Sequence, residues 1–255
     1  MMEAGAGFQS FVAVGLQEMD AVALTNRIDT KFVFPLSRLN DVLNGMETGY
    51  SVLEIDGVRM HPYDTVYFDD SDLGLYLAHH NGRANRFKLR LRRYGNSDVA
   101  FMEVKRKTNT GRTIKARKRT SLPQRLLTDE QRLFFNQHTG ADGDTWRFSM
   151  QVRFSRVTLV SFNPPERVTL DFSLEARDEA GARQFPGLVI AEVKQGGKAN
   201  SAFISRMHEL RIRPFSVSKY CLGISFLREH IKKNNFLPQH RMLKALSLKS
   251  SHGTL

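Results

Sequence analysis

Residues 86–94 read Arg-Phe-Lys-Leu-Arg-Leu-Arg-Arg-Tyr, and their alternation decides the fold. In a strand every second side chain points to the same face. Arg86, Lys88, Arg90 and Arg92 therefore share one face, and Phe87, Leu89 and Leu91 share the other. The runs that follow repeat the pattern. Glu103, Lys105 and Lys107 oppose Met102 and Val104, and Lys115, Arg117 and Arg119 oppose Ile114 and Ala116. Further away, Arg27, Asp29 and Lys31 alternate with Ile28 and Phe32. Arg167, Thr169 and Asp171 alternate with Val168, Leu170 and Phe172, and Glu192 and Lys194 alternate with Val189, Ala191 and Val193.

One charged strand face ordinarily meets water. Neighbouring strands that all present cations are different, because like charges along and across strands repel, and a solvated face normally mixes signs. A face dominated by Arg and Lys points to a bound polyanion. If the sheet closes into a barrel, that face becomes a lumen. Arg grips phosphate oxygens with a planar fork and Lys adds point charge. A nucleic-acid surface would be open and interleaved with aromatics for base stacking. The basic runs carry almost none, Phe101 being the main exception, so phosphate is favoured over bases and no nucleic acid is expected.

Around these runs the chain reads as one α+β domain. Turn residues Gly95-Asn96 and Asn109-Thr110-Gly111 join residues 86–94, 99–107 and 112–119 into an antiparallel meander. Strands are also expected over 27–34, 52–55, 63–68, 73–77, 151–162, 166–177 and 188–194. Helices are expected after Ser37 as cap, and over 128–138, 202–210 and 220–232. Residues 1–20 form a leader, 21–235 the domain, and 236–255 a loose basic tail. The 255 residues carry a net charge of +12 and 41% hydrophobic residues, enough for a core and in keeping with an anionic partner. The single cysteine, Cys221, excludes an internal disulfide and reads as core. Neither a signal peptide nor a spanning segment is legible, so a cytoplasmic protein is expected.

Carboxylates on a basic face are either ion-pair partners or metal ligands. Glu103 and Glu192 each stand in a Glu-Val-Lys triplet. A divalent ion held by one carboxylate and by substrate phosphates is typical of magnesium. Glu192 is the better candidate, since Glu103 has more basic neighbours. No Walker loop, Gly-x-Ser-x-Gly or dinucleotide fingerprint is present, and His79-His80 lacks metal-ligand spacing.

In order, the chain shows Arg27-Ile-Asp-Thr-Lys31-Phe, Tyr67-Phe-Asp-Asp, Lys88-Leu-Arg90-Leu-Arg92-Arg-Tyr-Gly95, Glu103-Val-Lys105, Lys115-Ala-Arg117, Arg167-Val-Thr-Leu-Asp171, Glu192-Val-Lys194 and Phe215-Ser-Val-Ser-Lys219-Tyr. This series resembles the VTC domain, the polyphosphate-polymerase domain of the vacuolar transporter chaperone family, within the CYTH-like triphosphate tunnel metalloenzymes. The resemblance runs over about residues 20 to 230. It implies an antiparallel β-barrel tunnel with flanking helices. The implied activity is transfer of the ATP γ-phosphate onto polyphosphate, with Mn²⁺ or Mg²⁺. It implies phosphate contacts from Lys31, Arg90, Arg92, Lys105, Lys115, Arg156, Arg167 and Lys219, and a metal on Glu192. The shared faces add Lys88, Arg117 and Lys194 to the phosphate set, and Glu103 as a second metal candidate. Arg90, Arg92, Lys105, Arg167 and Glu192 are the expected catalytic set.

Three departures stand out. Ser216 replaces a phosphate-binding lysine and Arg93 an aromatic. Arg27 and Asp29 stand where hydrolytic relatives carry an acidic Glu-x-Glu-x-Lys opening. Inorganic triphosphate or nucleotide hydrolysis, and phosphate-chain binding without turnover, are the alternatives. Since eukaryotic relatives couple synthesis to membrane transport, coupling here would need a membrane-protein partner.

Overall fold

The computed structural model describes residues 7–20, 22, 27–95, 98–197 and 200–251, with side chains to 246. The strands are β1 (Val12–Val14), β2 (Ile28–Pro35), β3 (Ser51–Leu53), β4 (His61–Asp69), β5 (Arg86–Tyr94) and β6 (Ala100–Lys107). They continue with β7 (Thr113–Thr120), β8 (Arg147–Phe162), β9 (Pro165–Arg177), β10 (Ala182–Phe185) and β11 (Leu188–Gln195). The helices are α1 (Leu16–Asp20), α2 (Leu39–Leu43), α3 (Gly74–His80), α4 (Asp129–Thr139), α5 (Ala202–Glu209), α6 (Lys219–Leu227) and α7 (Leu237–Ser251).

All strands join one 11-stranded sheet whose main path is β2-β11-β9-β8-β4-β5-β6-β7. Every pairing is antiparallel except β1 with β3. The sheet curls into a tunnel without closing. Among the described residues no ladder joins β7 to β2, and the free edge of β2 is taken by a bridge from Phe32 to Pro214 and by the Phe215 N–H on the Lys31 carbonyl.

Apolar positions of the alternating strands fill the two sides of the curl. Outside, Phe32, Phe34, Val157, Leu159, Leu170 and Val189 pack on α2 and α5. Leu89, Leu91, Met102 and Val104 pack on Phe134 and Phe135 of α4. Inside, at one end, α6 lies against Met150, Val152 and Ala176, and Tyr220 stacks on Tyr67 with ring centroids 5.0 Å apart. Side-chain caps start α4, α5 and α6. Thr128 forms a reciprocal box with Gln131, and Ser201 and Ser218 accept from the backbone of Ile204 and Cys221.

Several local readings differ from the expectation. Of residues 73–77, expected as a strand, 74–77 belong to α3 and Leu73 is its N-cap. The Asp69 carboxylate accepts the N–H groups of Leu75 and Tyr76, and Asp70 accepts that of Gly74. These acceptors satisfy the first turn and turn a polar break into a helix start. Ser37 caps nothing, because it lies inside a 3₁₀ turn, Leu36–Arg38, ahead of the short α2. The helix expected to reach Lys232 ends at Leu227, where Arg228 turns extended and donates to Asp178 and to the Ser149 carbonyl. The expected loose tail is helical to Ser251, with Met242, Leu243 and Leu246 packed against the α6 cluster. The leader contributes β1 and α1, while residues 1–6 lie outside the described set.

Candidate phosphate tunnel

The register of β5, β6 and β7 brings the alternating cations into rungs. Arg86 lies opposite Lys107, Lys88 opposite Lys105, and Arg90 opposite Glu103. Lys115 is opposite Lys105, and Arg117 opposite Glu103. Cross-strand partners share a face, so these residues all look into the curl. On the other wall Glu192 pairs with Lys31 on one side and Thr169 on the other, and Lys194 pairs with Asp29 and Arg167. Arg156 of β8 pairs with Asp171.

Two buried carboxylates, Glu103 and Asp171, and the half-buried Glu192 organise this cationic interior. Glu103, 1% exposed, accepts from Arg90 Nε at 2.6 Å, Lys115 Nζ at 2.5 Å and the Tyr94 hydroxyl at 3.0 Å, with Arg117 Nε at 3.9 Å. Burial alone would raise its pKa, but Arg90, Arg92 and Lys115 hold it far below the usual carboxylate range. Asp171 accepts a forked pair from Arg156, at 2.6 and 2.8 Å, and a bond from Lys219. Burial opposes its ionisation, yet these two cations bring it down to about 2. Glu192 accepts from Lys194 at 2.6 Å and lies 3.6 Å from Lys31. Its carboxyl is also held well down, burial being outweighed by Lys194, Lys31 and Arg156.

Aromatic rings separate the cations. Tyr63 stacks on Phe154 at 5.0 Å and meets the Arg156 guanidinium at 4.8 Å. Lys219 Nζ lies 4.6 Å from the Phe154 centroid, and Arg117 sits 3.5 Å over Phe101. Arg92 donates to Thr65 Oγ1 at 3.0 Å.

A cavity of 510 Å³ opens at one end of this interior. Lys31, Lys88, Lys105 and Glu192 line it, closed from the other side by the 214–218 loop and the start of α6. Among the described residues, Lys88 and Lys105 have no carboxylate within ion-pair distance. Burial, then Lys88 and Lys31, brings Lys105 down to about 8, and burial also lowers Lys88. Two half-buried ammonium groups with no carboxylate at ion-pair distance among the described residues form an anion site by their own electrostatics.

The expected residues divide by position. Lys31, Lys88, Lys105 and Glu192 line the cavity. Arg90, Arg92, Lys115, Arg117, Arg156, Lys194, Lys219 and Glu103 belong to the carboxylate hubs and ring contacts beside it. Arg167 donates to the Met19 carbonyl of α1 at 3.4 Å. Sequence reading left His79 and Arg86 out of the site, yet both stand on the cavity wall. It also passed over the ring contributors Tyr63 and Phe154, which stand in β4 and β8 and carry no charge to mark them. Among the described residues no group of three His, Cys, Asp or Glu could hold a metal. No helix there is long and apolar enough to cross a membrane.

The family model of the VTC domain matches residues 26–138. No curated protein sequence matches. A solved Hippeastrum protein, assigned as an adenylyl cyclase and described by a dominant triphosphatase activity, is 13% identical with a TM-score of 0.50, over 80% of this chain and 98% of its own. A Bacillus halodurans protein assigned as an adenylate cyclase is 12% identical at a TM-score of 0.48, over 76% of this chain and 94% of its own. At such identity the Hippeastrum likeness speaks for the fold alone. Residues 26–138, which span β2 to α4 and carry Lys31, Lys88, Arg90, Arg92, Lys105 and Lys115, thus match the VTC domain, and the fold around them is like that of the Hippeastrum protein.

Proposed function

We propose that the chain is a metal-dependent phosphotransferase of the polyphosphate-polymerase type, moving the ATP γ-phosphate onto a phosphate chain. The observation that carries this is the convergence of Lys31, Lys88, Lys105 and Glu192, from β2, β5, β6 and β11, on one cavity. In the reaction a terminal oxygen of the acceptor chain attacks the γ-phosphorus, the bond to the β-bridging oxygen breaks, and the nucleotide leaves as ADP. Such chemistry rests on alignment and charge neutralisation, and no protein nucleophile is required.

Each residue follows from its position. Lys31, Lys88 and Lys105 hold the phosphates at the cavity. Arg90, Arg92, Arg156 and Lys219 extend the cationic path inward, with Lys115, Arg117, Arg167 and Lys194 as its outer members. Of the expected catalytic cations, Arg90, Arg92 and Lys105 face the developing charge, while Arg167 keeps its outer place beside Met19. Glu192 is the carboxylate suited to a divalent ion, since it reaches the cavity where phosphates would complete the coordination shell. Mn²⁺ or Mg²⁺ fits that donor set and supplies neutralisation of phosphate oxygens. Glu103, enclosed by Arg90, Lys115 and Tyr94, serves as their counter-ion. A cytoplasmic site of action, with a membrane protein receiving the polymer, belongs to the same reading.

One observation favours hydrolysis as the second reading: Ser216, on the cavity wall, brings no charge where a phosphate-binding lysine would serve the acceptor. Water would then be the acceptor. Purified protein incubated with ATP and manganese separates the readings. Long polymer on a gel supports polymerisation, orthophosphate alone supports triphosphatase action, and tight binding without either supports a binding module. Glu192→Ala is expected to abolish turnover and Arg90→Ala to weaken triphosphate binding. Undiminished synthesis by both variants refutes the assignment.

A further inference from the structure

Beyond the Lys88–Lys105 rung, the sheet ends in one more rung, Arg86 opposite Lys107, and both side chains line the cavity. It lies two residues further along each strand, roughly 7 Å toward the mouth. Neither residue has a carboxylate within ion-pair distance among the described residues. Arg86 is nevertheless fixed. Its Nε donates to His79 Nδ1 at 3.2 Å and its Nη1 to the Arg83 carbonyl at 2.8 Å.

His79 is fixed in turn, with Nε2 3.2 Å from the Phe87 carbonyl. A carbonyl can only accept and a guanidinium can only donate. The imidazole is therefore neutral, with its proton on Nε2 and its Nδ1 lone pair toward Arg86. Burial, then Lys88 and Arg86, pushes its pKa down to about 2, in keeping with that state. A carboxylate in the same place would hold Arg86 equally well but cancel its charge. A neutral acceptor orients the guanidinium and leaves its full charge facing the cavity.

We propose that Arg86, oriented by His79 and flanked by Lys107, forms an outer phosphate subsite at the cavity mouth that selects long phosphate chains over triphosphate. This rests on the phosphate-chain reading of the cavity. A triphosphate seated on Lys31, Lys88 and Lys105 leaves the outer rung unused, whereas a longer chain continues onto it. His79 is a positioning residue and touches no phosphate.

The test measures the affinity of the full chain for inorganic tripolyphosphate and for a long-chain polyphosphate, by calorimetry without metal. Wild type is expected to prefer the long chain. Arg86→Gln removes one charge-assisted hydrogen-bonding group and should lower that preference about tenfold. Lys107→Gln, at an exposed position, should lower it several-fold and guards against a folding defect. His79→Phe should lower it with Arg86 still present, because the guanidinium is no longer held. Equal losses for both ligands, or an unchanged preference in all three variants, overturn the subsite alone. Wild type that binds neither ligand overturns the underlying reading as well.

Discussion

Replacing Glu103 with glutamine removes one negative charge while keeping shape and one carbonyl acceptor. The site is 1% exposed, and the carboxylate faces Arg90, Lys115 and Arg117. Breaking a buried ion pair by removing one partner costs about 3–5 kcal/mol. Lys115 and Arg117 are 39% and 42% exposed, so water screens their share, and most of the loss comes from Arg90 at 16%. The lower end, about 3 kcal/mol, is the expected destabilisation. For a chain of this size that lowers the melting temperature by roughly 6–12 °C. Inorganic tripolyphosphate should stabilise Glu103→Gln more than wild type, because an anion supplies the missing counter-charge. The assay is thermal unfolding by circular dichroism at about pH 7.5, with and without tripolyphosphate. A melting point within ~2 °C of wild type, or equal stabilisation of both proteins, would refute the view that Glu103 holds the cationic interior together.

Lys105, brought down to about 8 in the free protein, should gain a proton when an anion binds. Tripolyphosphate affinity is then full below about pH 8 and falls above it by up to about tenfold per pH unit. Lys105→Arg should shift that fall upward, and a flat profile to about pH 9.5 counts against a cationic Lys105 at the site. Arg156→Met leaves Asp171, at 2% exposure, with Lys219 as its remaining ion-pair partner. In wild type the depressed Asp171 pKa contributes stability above the unfolded value, lost as pH falls toward about 2. Acid unfolding of the variant should begin at higher pH, with about 3 kcal/mol lost at neutrality; coincident acid titrations would contradict this. Gly223→Ala drives a Cβ into Met150 Sδ and places it 2.9 Å from Ala176 Cβ. The thioether can swing away but the alanine cannot, so a loss of about 1–3 kcal/mol is expected in chemical denaturation. An unchanged midpoint would mean that α6 can lift off the sheet at no cost.

The basic rungs were legible because period-two alternation of Arg and Lys with apolar residues is a strong local signal, and the register put the expected partners side by side. The uncharged lining supplied by β4 and β8 was not. Tyr63, Thr65 and Phe154 carry no charge, and whether such a residue faces core or lumen depends on which side of the sheet is concave. α3 was misread because its start is secured by Asp69 and Asp70, whose caps look like a turn in a one-dimensional string. α7 was read as loose because its charge hid Met242, Leu243 and Leu246. Their packing needs a surface made by strands far away in the sequence. The Arg86–His79 pair joins β5 to α3 through side chains, and no spacing rule announces such a contact.

The seam of the curl has one more consequence, for assembly rather than chemistry. Among the described residues β7 ladders with β6 alone, so its outer rim offers N–H and C=O groups to any extended chain that drifts near. Lys115, Arg117, Lys118 and Arg119 stand on the two faces of this edge strand, and two copies pairing along it would set cation beside cation. The residues that draw in a polyanion are thus also the guard against fibril-like stacking, and a saturating load of phosphate polymer lowers that guard.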